Sequence, residues 1–144
     1  MTETRVLLGF DVGTKRIGVA VGQEITRSSS PLDTVVINHG KPDWAHITRL
    51  IEAWHADALV VGIPLQMDDK EQSMTFVARR FANRLRGRYQ LPVDEVDERL
   101  SSRSANEMLF DEEYMGQIAR KKKRGMVDQL AAQVILDTYF SQSS

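Results

Sequence analysis

Leu7-Leu8-Gly9-Phe10-Asp11-Val12-Gly13-Thr14-Lys15-Arg16-Ile17-Gly18-Val19-Ala20-Val21-Gly22 is the stretch around which the rest of the chain is organised. Val6 to Phe10 is too short for a stable isolated helix and has the length of a buried strand. Gly13 lets the backbone turn sharply before Thr14-Lys15-Arg16, and Ile17 to Val21 resumes an apolar, β-rich run. The segment therefore reads as two strands lying side by side, the first ending on Asp11. A carboxylate at the end of a buried strand is costly to desolvate unless a cation or hydrogen-bond donors face it. Asp also caps turns readily. The hairpin alone leaves both roles open.

The chain has 144 residues, enough for a single domain (1–144) with a sizeable core. Its 42% hydrophobic and 27% charged residues are those of an ordinary globular protein. It has no cysteine, which excludes disulfides and thiolate metal sites. Any metal must then be held by oxygen or nitrogen, and carboxylates favour magnesium or manganese. The amino terminus shows no apolar signal-like segment, and no apolar run approaches the roughly 18 residues of a membrane span. A cytoplasmic protein without a membrane partner is expected. The net charge is −1, yet basic residues gather at Arg79, Arg80, Arg84, Arg86 and Arg88, and again at Arg120-Lys121-Lys122-Lys123-Arg124. Local patches of this kind engage phosphates even on a near-neutral protein.

Downstream of the hairpin, Gln23 to Pro31 is polar and serine-rich and reads as a loop or frayed strand end. Leu32 to Asn38 reads as a third strand, closed by Gly40 and Pro42. Trp44, Ile47, Ile51 and Trp54 form one apolar stripe of a helix starting near Asp43, with both tryptophans expected in the core. Ala58 to Pro64 is a fourth strand, apolar throughout as if covered on both faces, and Pro64 ends it. Met74, Val77, Phe81 and Leu85 mark a second helix, its arginines on the remaining faces. Leu91 to Arg99 is a fifth strand with an acidic end. Ser101 or Ser102 is placed to cap a short helix reaching about Phe110, and Asp111 to Gln117 reads as irregular. The basic run precedes a last helix opened by Gly125-Met126-Val127-Asp128, with Val127, Leu130, Ala131 and Val134 on one face.

Short connections and right-handed crossovers turn this order into an α/β fold: a five-stranded mixed sheet flanked by helices. The first, fourth and fifth strands can run parallel, so their carboxyl ends share the edge where open α/β sheets bind ligands. Asp11, Gly62 and the pair Asp97-Glu98 reach that edge. Converging carboxylates repel unless a cation neutralises them, and two hard divalent ions there would suit hydrolysis of a phosphodiester. Asp128, expected in the first turn of the last helix where the dipole favours negative charge, is placed to complete the set or simply to cap that helix. Strand alternation leaves either Asp97 or Glu98 as the inward carboxylate.

Four blocks match a known pattern in order: Leu8-Gly9-Phe10-Asp11-Val12-Gly13-Thr14-Lys15-Arg16-Ile17-Gly18-Val19-Ala20, Val61-Gly62-Ile63-Pro64-Leu65, Val96-Asp97-Glu98-Arg99-Leu100-Ser101-Ser102 and Val127-Asp128-Gln129-Leu130-Ala131-Ala132. Together they closely resemble the YqgF/RuvX family over nearly the whole chain. The resemblance implies an RNase H-like fold related to the RuvC resolvases. It also implies a nuclease site with Asp11, Glu98 and Asp128 as catalytic and metal-binding residues for Mg2+ or Mn2+. Family members are associated with maturing the 5′ end of precursor 16S ribosomal RNA and with resolving Holliday junctions. One departure stands out: the family's usual Met-Asp-Gly is here Met67-Asp68-Asp69-Lys70.

On this reading the chain is an endonuclease acting on structured RNA or branched DNA. Lys15, Arg16, Arg99 and the run that includes Lys121, Lys122, Lys123 and Arg124 are the candidate phosphate contacts. Such contacts position a strand without reading its sequence. Resolving a junction would require symmetric cuts and favours a homodimer; trimming a single RNA strand does not. An Asp-x-Gly-Thr hairpin also opens sugar kinases, actins and heat-shock ATPases, but those need two such lobes. A third reading is a non-catalytic nucleic-acid or ribosome-assembly module on the same fold.

Overall fold

The computed structural model of the chain describes residues 5–64, 72–98 and 120–142. β1 (Val6–Val12) and β2 (Arg16–Gln23) form the antiparallel hairpin, with Leu8 opposite Val21 and Asp11 opposite Gly18. The Gly13 N–H donates to the Arg16 carbonyl at 2.9 Å and closes the turn. β3 (Ser28–Asn38), β4 (Lys41–Pro42), α1 (Trp44–Trp54), β5 (Ala58–Ile63), α2 (Gln72–Tyr89), β6 (Val93–Asp97) and α3 (Arg120–Gln142) follow. The sheet order is β4-β3-β2-β1-β5-β6; β1, β5 and β6 run parallel and the other pairings are antiparallel. The carboxyl ends of β1, β5 and β6 thus share one edge, as the apolar runs and crossovers dictate.

Alternation along the strands divides the core into two layers. Leu8, Phe10, Ile17, Val19, Leu59 and Val61 pack against α1 and α2. Leu7, Ala20, Ala58, Val60 and Val96 pack against Ala132, Ile135, Leu136 and Phe140 of α3. Because β5 is buried on both sides, its sequence is a continuous apolar run.

The sheet has six strands rather than five. β4 is only two residues long, hydrogen-bonded to Ile37 and Asn38, and carries no apolar pattern to announce it. β3 begins at Ser28 rather than Leu32. The register shifts between Val19 and Ala20, which pair with Asp33 and Pro31 and leave Leu32 as an extra residue. A bulge of this kind accommodates Pro31 inside a strand.

The helices also depart from expectation in detail. α1 starts directly after Asp43, as the sequence predicts, and Asp43 caps it, its side chain accepting from the His46 N–H at 3.2 Å. Trp44 stacks on Phe81, but Trp54 is 41% exposed and is not a core residue. On α2 the buried stripe is Ala78, Phe81, Ala82 and Leu85, while Val77 is 41% exposed; the small alanines, not Val77, allow close approach to the sheet. α3 already includes Arg120, so Gly125 lies within it and Asp128 is two turns from Arg120. The helix dipole therefore does not explain Asp128. Its buried face is Ala132, Val134, Ile135, Leu136 and Phe140, whereas Val127, Leu130 and Ala131 are only half-buried. The expected helix at 101–110, the irregular stretch at 111–117 and the Met67-Asp68-Asp69-Lys70 departure lie outside the described residues.

Candidate active site

Asp11 occupies the penultimate position of β1 and faces the α3 side of the sheet, since Phe10 and Val12 belong to the opposite layer. It does not cap the turn, whose closing bond runs from Gly13 to Arg16. Glu98 follows directly on β6, and its carboxyl group hydrogen-bonds that of Asp11. The other acid, Asp97, pairs in register with Ile63 and acts on Glu98 through its charge.

Two glycines make this meeting possible. Gly18 lies opposite Asp11 in the hairpin, and a Cβ there would collide with the backbone of Asp128. Gly62 follows Val61, the partner of Phe10, and a Cβ there would stand 2.8 Å from Glu98 Oε1 and clash with Ile135. The missing side chains let α3 carry Asp128 down beside Asp11 from one side and let Glu98 reach it from the other. Glycine inside an apolar strand is the sequence signal for such close approach, and Gly18 and Gly62 both carry it.

The electrostatics follow from burial. Desolvation raises the pKa of Asp11 most; the hydrogen bond with Glu98 pulls it partly back, and the charge of Asp128 raises it further. Glu98 is pushed up to about 9, first by burial, then by its hydrogen bond to Asp11 and by the charges of Asp11 and Asp97. The bond lowers Asp11 and raises Glu98 while burial raises both, so the two carboxyl groups share one proton and titrate as a pair.

Asp128 is engaged differently. Arg16 Nε donates to its Oδ2 at 2.7 Å, at the base of the hairpin turn. Arg16, expected on a phosphate, is therefore turned inward onto a carboxylate. Lys15 is exposed on the turn. Arg99 lies outside the described residues, as do the side chains of Lys121, Lys122, Lys123 and Arg124, whose backbone is the start of α3.

Among the described residues no group of three His, Cys, Asp or Glu side chains stands ready to hold a metal ion. Asp11 and Glu98 are in contact, and Asp128 is near enough to act on Asp11 while paired with Arg16. The donor set nevertheless fits a hard divalent cation: two carboxyl groups already share one proton, an arrangement that a bound cation would replace.

This architecture is the RNase H-like fold. The chain superimposes on Thermus thermophilus RuvC, solved in complex with a Holliday junction substrate, with a TM-score of 0.56 at 15% identity, covering 96% of this chain and 95% of RuvC. A fowlpox virus resolvase bound to Holliday junction DNA matches with a TM-score of 0.50 at 12% identity, over 96% of this chain and 97% of the resolvase.

Within that fold class the sequence is more specific: residues 5–142 match the family model described as "RuvX: Holliday junction resolvase", and the chain belongs to that family. A relative from Nitrosococcus oceani, named "Putative pre-16S rRNA nuclease", is 49% identical over 98% of this chain and 90% of its own length. Relatives of the same name from Legionella pneumophila and Escherichia coli are 49% and 46% identical, over 96% and 94% of this chain and 96% of each relative. Among the described residues no helix is long and apolar enough to cross a membrane.

Proposed function

We propose that this chain is a divalent-metal-dependent endonuclease of the cytoplasm, acting as one domain over 1–144, that hydrolyses phosphodiester bonds in 5′-end processing of precursor 16S ribosomal RNA. The observation that carries the site is the hydrogen-bonded pair Asp11–Glu98 at the carboxyl edge of the parallel strands, with Asp128 beside it. The RNA substrate is supported by the name shared by the near-full-length relatives.

In this reading Asp11, Glu98 and Asp128 hold Mg2+ or Mn2+, which when bound activates water and offsets charge developing on the phosphate oxygens. Asp11 and Glu98 share a proton in the metal-free site; with that proton released to solvent, both carboxylates would be available to hold the cation. Arg16 keeps Asp128 oriented over the hairpin. Lys15, exposed on the turn next to this edge, meets the phosphate backbone of the strand being cut, and the basic run of α3 extends that contact.

The second reading, resolution of branched DNA by a homodimer, is favoured by the likeness to junction-bound RuvC and by the description of the matching family. The two are separated by offering the purified protein labelled precursor 16S RNA with its 5′ leader and, in parallel, a four-way DNA junction, each with magnesium, manganese or EDTA. Cleavage of the leader alone supports maturation; paired symmetric cuts in the junction support resolution. Binding without cleavage of either would leave a non-catalytic assembly module and overturn the nuclease.

A further inference from the structure

We propose that a basic groove on the sheet face opposite α3 holds an unpaired stretch of the nucleic-acid substrate next to the carboxylate edge. The need for such a strand rests on the nuclease reading; the groove's preference for a polyanion does not. It encloses about 810 Å³, inside the range of roughly 300–1,000 Å³ of ligand clefts. Arg80, Arg84 and Arg88 of α2 line it together with His39, Lys41 and Trp44. No carboxylate lines it among the described residues.

The arginines of α2 are sorted rather than scattered. Arg79 and Arg86 turn toward β6, where both reach Glu95 at 3.8 and 3.3 Å, and Arg86 also donates to the Val93 carbonyl at 2.9 Å. Arg80, Arg84 and Arg88 recur every four residues on the groove side, exposed, and form no ion pair among the described residues. Arg88 lies over the Trp44 ring, 4.1 Å from its centroid. Like charges four apart on a helix repel, so this stripe is intrinsically unfavourable until an anion meets it.

Three features favour a polynucleotide over an acidic protein surface. The arginines are spaced by about 6 Å along the helix axis, close to the repeat of phosphates in an extended single strand. Phe76, which also lines the groove, is 69% exposed and offers a face on which an unpaired base can stack. Val12, Gly13 and Thr14 line the same groove and follow Asp11 directly in the chain, so a strand leaving the carboxylates passes over the turn into the arginines.

The test measures binding of a labelled single-stranded oligouridylate of about 10 nucleotides by fluorescence anisotropy in EDTA, where cleavage plays no part. The R80A/R84A double variant should bind at least about tenfold more weakly, with a salt dependence flatter by about two phosphate contacts. Phe76→Ala should weaken binding with no change of salt slope, and Arg79→Ala, on the Glu95 side, should leave both unchanged. With cleavable RNA, trimming single-stranded nucleotides beyond the cut should raise KM for the wild type and not for R80A/R84A. Unchanged affinity in a folded R80A/R84A, checked by circular dichroism, would overturn the proposal. So would an acidic peptide of equal charge displacing the oligonucleotide at equal concentration, which would mark a protein-docking surface. Failure to cleave any substrate would sink the nuclease reading while leaving the groove's binding result standing.

Discussion

Arg16 donates from Nε to Asp128 Oδ2 at 2.7 Å, joining the turn of the opening hairpin to the last helix across 112 positions of sequence. A residue expected to hold phosphate and one expected to hold metal are thus each other's partner. The Asp128 side chain is 20% exposed and that of Arg16 36%, so the pair is only partly shielded from solvent. Its net contribution should be about 1 kcal/mol or less. Its larger effect is to neutralise Asp128 beside the desolvated Asp11.

Arg16→Ala should therefore destabilise the metal-free protein by up to about 1 kcal/mol and leave Asp128 repelling Asp11. Added Mg2+ should recover that loss, so the rise in Tm on adding magnesium should be larger in Arg16→Ala than in the wild type. Thermal melts with magnesium or EDTA decide it; equal rises in both proteins would show that Arg16 and the cation do not share Asp128.

Glu98 sets the pH dependence. Its pKa is pushed from 4.5 to about 9 in the folded protein, chiefly by burial. The folded state thus binds the proton more tightly than the unfolded chain does. The contribution is fully present below pH 4.5 and is lost as pH rises toward about 9. Metal-free wild type should lose stability from this group between mildly acidic and alkaline pH, and Glu98→Gln, which stays neutral, should flatten that loss. Denaturant melts at several pH values in EDTA measure it; parallel curves for the two proteins would contradict the shared proton.

Gly18 and Gly62 mark where the sheet must be bare. Gly18→Ala places a methyl group against the Asp128 backbone and should cost about 1–3 kcal/mol, while moving Asp128 away from Asp11. Gly87→Ala, on the exposed face of α2 with nothing within 4 Å of the added Cβ, should instead stabilise by about 0.5–1 kcal/mol. Equal effects from the two substitutions would rule out close approach as the role of Gly18.

The architecture was legible where burial writes a pattern. The hairpin, the parallel trio β1, β5 and β6, and the start of α1 after Asp43 all follow from apolar runs and glycine and proline punctuation. β4 was not legible, because two residues carry no period, and β3 was read short because Ser28 to Pro31 has only backbone pairing to recommend it. Gly125 read as a helix start although it lies inside α3. At the site, the shared carboxyl edge of β1, β5 and β6 follows from their apolar runs, whereas strand alternation alone leaves Asp97 and Glu98 equivalent and the structure pairs Glu98 with Asp11. The Arg16–Asp128 pair was not legible, since a contact between residues 112 positions apart leaves no local trace.

The most direct test of the central claim compares cleavage of leader-bearing precursor 16S RNA by wild type and Asp11→Asn, each with magnesium and with EDTA. If Asp11, Glu98 and Asp128 form a metal-dependent nuclease site, the wild type cuts only with the metal. Asp11→Asn, which keeps the shape and removes the charge, then loses at least about a hundredfold in rate while remaining folded. Cutting that survives EDTA, or an Asp11→Asn variant as active as the wild type, would contradict the account.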